Sequence, residues 1–364
     1  MPAPNAPKEK IWTKIKSRWQ PIKFTEKIFL FENLRVMLKA GLSIVESLQI
    51  AAAQTPNLRL RKILSEVTAH IEKGTSLSET LEKFPGLFPS IYVKMVAAGE
   101  VAGKLDESLN EIVAQMKKTY ALTAKIRGAM IYPLVILVAI VGIGVEMMVF
   151  VLPKILTIFT EMNVPLPLPT RILIATSTFL VRHGLLVAVF LVALTVLGWR
   201  LKKNPKIKRF WHQIILRLPI FGKISKEINL ARFSLTLSSL LKSAVPIIDA
   251  LSITAAVATN TLYQEALAAA AQEVKSGKTI AEILEKYPTI FPPLVTQMIR
   301  VGEKSGMVEN LLNQLSEYYN DEVDQVLKNI STVIEPVIII ILGVVVGGLA
   351  VAVIMPMYSL SEAI

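Results

Sequence analysis

Side chains able to do chemistry are few and scattered in this 364-residue chain. It has no cysteine, which removes disulfides and thiolate chemistry. The three histidines, His70, His183 and His212, stand too far apart for zinc-ligand spacing. No Ser/His/Asp set stands at a recognisable spacing, although such sets are defined by geometry rather than chain order. One glycine-rich stretch, Gly99-Glu-Val-Ala-Gly-Lys-Leu105, has the outline of a phosphate loop. A true loop of that kind places four residues between its glycines and Ser or Thr after the lysine, and it follows a strand. Here three residues separate the glycines, Leu follows the lysine, and the preceding residues are helical in pattern. The sequence therefore argues against a nucleotide site. Gly99 and Gly103 suit a left-handed helix stop and a tight helix–helix turn. Glu100 is less easily explained, and two roles stay open for it: local capping of the next helix, or contact with a partner.

The same stretch occurs twice. A constant offset of 203 residues carries Gly74 onto Gly277, Glu79 onto Glu282, Pro85 onto Pro288 and Phe88-Pro89 onto Phe291-Pro292. Gly99, Glu100 and Gly103 fall on Gly302, Glu303 and Gly306, with Met307 replacing the lysine. Leu38-Lys39-Ala40-Gly41 faces Leu241-Lys242-Ser243-Ala244, and Pro133 and Pro153 face Pro336 and Pro356. An ungapped repeat of this length is a tandem duplication of one large unit rather than a solenoid. The breaks in helical period give about six helices per copy and no convincing strand. Ser43 is a candidate N-cap, Ser76 and Glu79 have capping-box spacing, and a helix Ile91–Ala98 is expected to close at Gly99.

Composition places these bundles beside a membrane. Hydrophobic residues make up 52% of the chain, charged residues 19%, and mean hydropathy is +0.51, a balance that excludes an ordinary soluble enzyme. The expected organisation is a basic tail over 1–23, a cytoplasmic bundle over 24–129, a transmembrane helix over 130–152 and an outer connection over 153–183. A second span over 184–199, a basic juxtamembrane stretch with the second bundle over 200–332, a third span over 333–356 and an outer tail over 357–364 complete it. The bundles are expected to fold independently. The tail has Ile11, Trp12, Ile15 and Trp19 on one helical face, which fits either an interfacial helix or a solvated basic segment. No signal peptide is visible.

The net charge of +12 is unevenly placed. Lys117, Lys118, Lys125 and Arg127 precede the first span, and Arg200, Lys202 and Lys203 follow the second, whereas the outer connection has only Lys154, Arg171 and Arg182. This puts the N-terminus and both bundles in the cytoplasm and the C-terminus outside, and it accounts for the charge without nucleic acid. Pro165, Pro167 and Pro169 suggest a stiff linker, with Ile172–Val181 at the outer interface. Lys202 to Arg217, with Phe210 and Trp211, suits anionic headgroups. Glu146 is the only carboxylate deep in an apolar run, and its counterpart is Leu349. It should be protonated, reach a thinned interface, or pair with Arg182. Gly343 and Gly347 have the spacing that lets membrane helices approach closely.

As a set, these features resemble the inner-membrane platform family of type II secretion systems and type IV pili, the F-domain or GspF/PilC-type proteins. The resemblance spans about residues 24–358 and rests on the paired Leu-Lys segments at Leu38 and Leu241 and the Gly-Glu-x-x-Gly turns at Gly99 and Gly302. It rests also on Tyr132-Pro133 and Glu335-Pro336, on Leu218-Pro-Ile-Phe-Gly222, and on Pro153 and Pro356. Ala244 and Glu335 depart from the usual Gly and Tyr. The resemblance implies an all-α membrane protein with two tandem homologous cytoplasmic bundles and three transmembrane helices, without cofactor or metal, and not an enzyme. It implies a platform that meets a hexameric cytoplasmic assembly ATPase, pilin or pseudopilin subunits, other inner-membrane components and further copies of itself. Presence of the duplication favours this branch over the single-domain tight-adherence relatives. A small transporter or channel component is the alternative. If Glu100 and Glu303 serve partners, Gln at both should leave thermal stability nearly unchanged and reduce filament output.

Overall fold

The structure, a computed structural model, describes residues 20–153, 168–201 and 204–361. Most of the basic tail and of the proline-rich connection, including Pro165 and Pro167, lie outside the described residues, as do Lys154, Lys202 and Lys203. Among the described residues every regular element is a helix. The first repeat comprises α1 (Phe24–Lys39), α2 (Ile44–Gln54), α3 (Leu58–Ile71), α4 (Leu77–Glu82), α5 (Ser90–Ala102) and the start of α6 (Leu105–Glu146). A π-helical turn, Met147–Val151, continues α6. Next come α7 (Leu168–Leu201) and α8 (Pro205–Arg217). The second repeat comprises α9 (Pro219–Lys242), α10 (Ile247–Val257), α11 (Thr261–Val274), α12 (Ile280–Leu284), α13 (Pro293–Ser305) and the start of α14 (Val308–Ser361).

Several of these helices start and stop by the same devices in both copies. The Asn57 side-chain oxygen accepts from the Arg59 and Leu60 amides at the head of α3, and Asn260 accepts from Leu262 at the head of α11. Ser43 caps α2 through the Glu46 amide. Ser76 caps α4 through the Glu79 amide, and in the second copy Thr279 and Glu282 form both arms of the capping box. Gly74 and Gly277 leave their helices at φ of 88° and 84°. Gly41 does the same at 88°, but its counterpart is Ala244 at 58°, a left-handed conformation in a residue with a Cβ.

One buried backbone carbonyl shows how the repeats diverged. Leu87 and Ile290 are equivalent positions, and each carbonyl faces inward, where an unpaired acceptor is costly. In the first copy Lys27 Nζ donates to the Leu87 oxygen at 2.7 Å. In the second copy, where position 230 is Leu, the Tyr263 hydroxyl donates to the Ile290 oxygen at 2.8 Å. Different helices thus meet the same backbone demand. Burial among apolar neighbours holds Lys27 below the usual lysine pKa and pushes the Tyr263 phenol up.

Compactness divides the chain into two units, one running through Thr123 and again over Ile215–Glu322, the other over Ala124–Ile214 and Val323–Ile364. The first unit holds the bundle helices of both repeats. Inside it the Ser239 hydroxyl donates to Gln115 Oε1 at 2.9 Å, buried, and Lys242 pairs with Glu111 at 2.8 Å. Leu105–Val151, which runs from the first unit into the second, is the one helix among the described residues long and apolar enough to cross a membrane, and its side chains from Ile131 to Val145 are largely exposed. Helix α7 contains the apolar segments Ala175–Val187 and Val192–Leu201, inclined at 52°, and non-helical backbone at His183. Glu335–Gly348 is a shorter apolar run. Pro169 lies in the first turn of α7, where a missing N–H has no intrahelical partner to lose. Ile172–Val181 is therefore helical and belongs to the part of α7 that precedes the irregular backbone at His183.

Candidate functional site

The duplicated Gly-Glu-x-x-Gly turn is the feature most strongly marked by the sequence, and its geometry is the same in both copies. Glu100 Oε1 accepts from the Leu77 amide at 2.6 Å and Oε2 from the Ser78 amide at 3.0 Å. Glu303 repeats this with the Ile280 and Ala281 amides at 2.5 and 3.1 Å. With Ser76 or Thr279 on the next amide, three of the four orphan donors at the head of α4 or α12 are satisfied. A carboxylate there also meets the positive end of the helix dipole. The sequence suggested capping of the next helix, but the helix capped is the short one about twenty residues upstream.

Both glycines of the turn are forced. A Cβ on Gly99 would stand 2.5 Å from Ser108 Cβ, and one on Gly302 would stand 2.8 Å from Val308 Cα. Helix α5 therefore does not close at Gly99. It runs on to Gly103, which ends it at φ 66°, as Gly306 ends α13 at 69°. The Lys104 amide returns to the Gly99 carbonyl at 2.8 Å and Met307 to Gly302 at 2.9 Å. Ser108 Oγ donates to the Met95 carbonyl at 2.5 Å, locking α6 against α5. In each copy the motif ties three helices together. Its outward surface includes exposed Val101 in the first copy and Met307 in the second.

Other residues singled out by sequence stand apart from this turn. Pro133 lies inside α6 and leaves the carbonyl four residues earlier without its helical donor, and Pro336 lies inside α14. Glu146 ends the regular part of α6 immediately before the π-helical turn, whose Met148 carbonyl accepts from the Ser177 hydroxyl. Glu146 and Arg182 are both exposed, and no ion pair joins them among the described residues. A Cβ at Gly343 or Gly347 would meet nothing within 4 Å, so no other helix of this chain packs there among the described residues.

Two features were not anticipated from sequence. A cleft of about 450 Å³ is lined by Arg35, Lys39, Glu111, Lys242 and Ala244, so the paired Leu-Lys segments, noted only as markers of the repeat, meet at one place. Repeat period alone carries no information on how one copy docks on the other. The second feature is Glu227, 6% exposed, with one carboxylate oxygen unpartnered and Lys223 at 3.7 Å. Burial, reinforced by Glu322, pushes its carboxyl up to about 7. Its counterpart, Phe24, instead stacks on Tyr120. A lone carboxylate in an otherwise helical stretch was the available signal. Among the described residues no cluster of His, Asp and Glu could hold a metal.

A helical unit present twice, with one helix long and apolar enough to cross a membrane among the described residues, defines a helical repeat protein. The type II secretion system protein F family model matches residues 30–153 and again 233–356, and the chain belongs to that family. It is 34% identical over 328 residues to the type IV pilus assembly protein PilC of Myxococcus xanthus, covering 90% of this chain and 78% of that protein. The PilC of Thermus thermophilus is 36% identical, covering 90% and 80%. The type II secretion system protein F of Aeromonas hydrophila is 32% identical over 341 residues, covering 93% and 87%.

Proposed function

We propose that this chain is the inner-membrane platform of a type IV pilus or type II secretion assembly machine and carries no catalytic centre. The family domain present twice, with relatives assigned to pilus assembly and to secretion, is the observation that carries the reading. The first unit lies in the cytoplasm and meets a hexameric assembly ATPase. Spans at 130–152, 184–199 and 333–356 hold the chain in the membrane, oriented by the basic flanks around the first two spans. The membrane part passes pilin or pseudopilin subunits into a growing filament. Helices α6 and α14 support this, because each runs without interruption from a bundle into an apolar segment, and a helix is stiff enough to transmit a rotation or displacement. Unoccupied glycine faces at Gly343 and Gly347 suit packing against further copies or other inner-membrane components.

The test uses the full-length chain. Deleting it in its native host should abolish filament or secretion output, and the tagged protein solubilised from membranes should retain an assembly ATPase. A deletion strain with normal filaments and secretion, or a tagged protein found only in the soluble fraction, overturns the reading.

A further inference from the structure

Helix α8 carries a partly exposed apolar face whose chemistry matches one surface. Asn204 starts the helix by accepting from the Lys206 amide at 3.1 Å, with Pro205 at the first helical position. At 100° per residue Ile207, Phe210, Trp211 and Ile214 fall within one third of the circumference, with Lys206 and Lys208 at its two edges. Phe210 is 62% and Trp211 55% exposed, while the isoleucines are half-buried. Two adjacent exposed aromatics on a folded helix are costly in water, and lysines flanking such a face can lay their stems along it with the ammonium groups outward.

Charge identifies the occupant. No Asp or Glu occurs between Glu161 and Glu227, whereas Arg200, Lys202, Lys203, Lys206, Lys208 and Arg209 follow one another within ten positions of the sequence. An apolar strip with aromatic residues and lysine edges, directly after an apolar helix, fits the headgroup–acyl boundary of a bilayer containing anionic lipid.

We propose that α8 lies in the plane of the cytoplasmic leaflet, with Phe210 and Trp211 inserted below the headgroups and Lys206 and Lys208 gathering anionic phospholipid. The inference rests on the reading of α7 as a membrane helix. Insertion of about 5–10 Å is the depth expected of such a helix. The anchor fixes the height of the α7 end at the bilayer surface and makes the attachment of this segment sensitive to lipid charge.

The test uses full-length protein in nanodiscs, with Trp12, Trp19 and Trp199 replaced by Phe so that Trp211 alone emits. Lipid brominated near the carbonyl should quench Trp211 more than lipid brominated near the chain end. Energy transfer from Trp211 to dansyl-labelled phosphatidylglycerol should exceed that to dansyl-phosphatidylcholine severalfold. Replacing Lys206 and Lys208 by Gln, which has nearly the helix propensity of Lys, should remove that preference. A companion chain retaining only Trp199 reports on α7. If brominated lipid quenches Trp199 but not Trp211, the anchor is overturned while the membrane reading stands. If neither is quenched, the membrane reading fails first. Quenching of Trp211 without lipid preference overturns the anionic part, and protection from both lipid and aqueous quenchers means that protein covers the face.

Discussion

Glu100 and Glu303 each have both carboxylate oxygens on backbone amides, which sets the sign of a substitution. Gln keeps the shape but presents an NH2 group to one donor and removes the charge that meets the helix dipole. Glu100→Gln and Glu303→Gln should each cost about 1–3 kcal/mol, read as a lower melting temperature of the full chain in detergent and faster amide exchange in α4 or α12. The geometry thus argues against the expectation of unchanged stability, and an unchanged melt would return these carboxylates to the partner role. Ala244 gives the opposite sign. Its φ of 58° costs an L-residue roughly 1–2 kcal/mol, while Gly surrenders about 0.5–1 kcal/mol of backbone entropy. Ala244→Gly should therefore stabilise by up to about 1 kcal/mol, and a lower melting temperature would refute the strain argument.

At the scale of elements, α9 brings Glu227 into an environment that favours its neutral form. A folded pKa near 7 lies above the ordinary carboxylate value, so between the two the folded state binds more protons than the unfolded one. Stability contributed by the protonated group is full at acid pH and falls as pH rises through about 7. Glu227→Gln should raise the melting temperature at pH 8, by the equivalent of a few kcal/mol at most, and change little near pH 5. Equal effects at both pH values would show that the carboxyl titrates normally. The elements themselves were largely legible in the sequence. Asn57 and Gly74 mark helix ends by local chemistry, and the offset of 203 carries them onto Asn260 and Gly277, whereas Gly41 and Ser43 fall on Ala244 and Pro246. The turn at Gly99 was legible as a turn but not in its mechanism. Its glycine answers to Ser108 and its glutamate to Leu77, and both contacts depend on how helices pack.

At the scale of the whole molecule, the family domain is present twice, and the bundle helices of both copies lie in one compact unit. A sequence repeat records ancestry and says nothing of the surface between copies, so this could not be read in advance. Gln115 and Ser239 decide between the alternatives, because their hydrogen bond is buried and comes from opposite copies. Gln115→Ala leaves the Ser239 hydroxyl without its acceptor, and Ser239→Ala leaves the Gln115 oxygen without its donor, each at about 1–3 kcal/mol. If the copies form one cooperative unit, either change should speed amide exchange of core helices in both, α3 and α11 alike, by similar factors. The double variant should cost less than the two singles combined, since removing both partners leaves no orphan. If exchange accelerates only in the copy that carries the substitution, the repeats are independent domains after all, and the bond between them is a surface contact between modules free to separate.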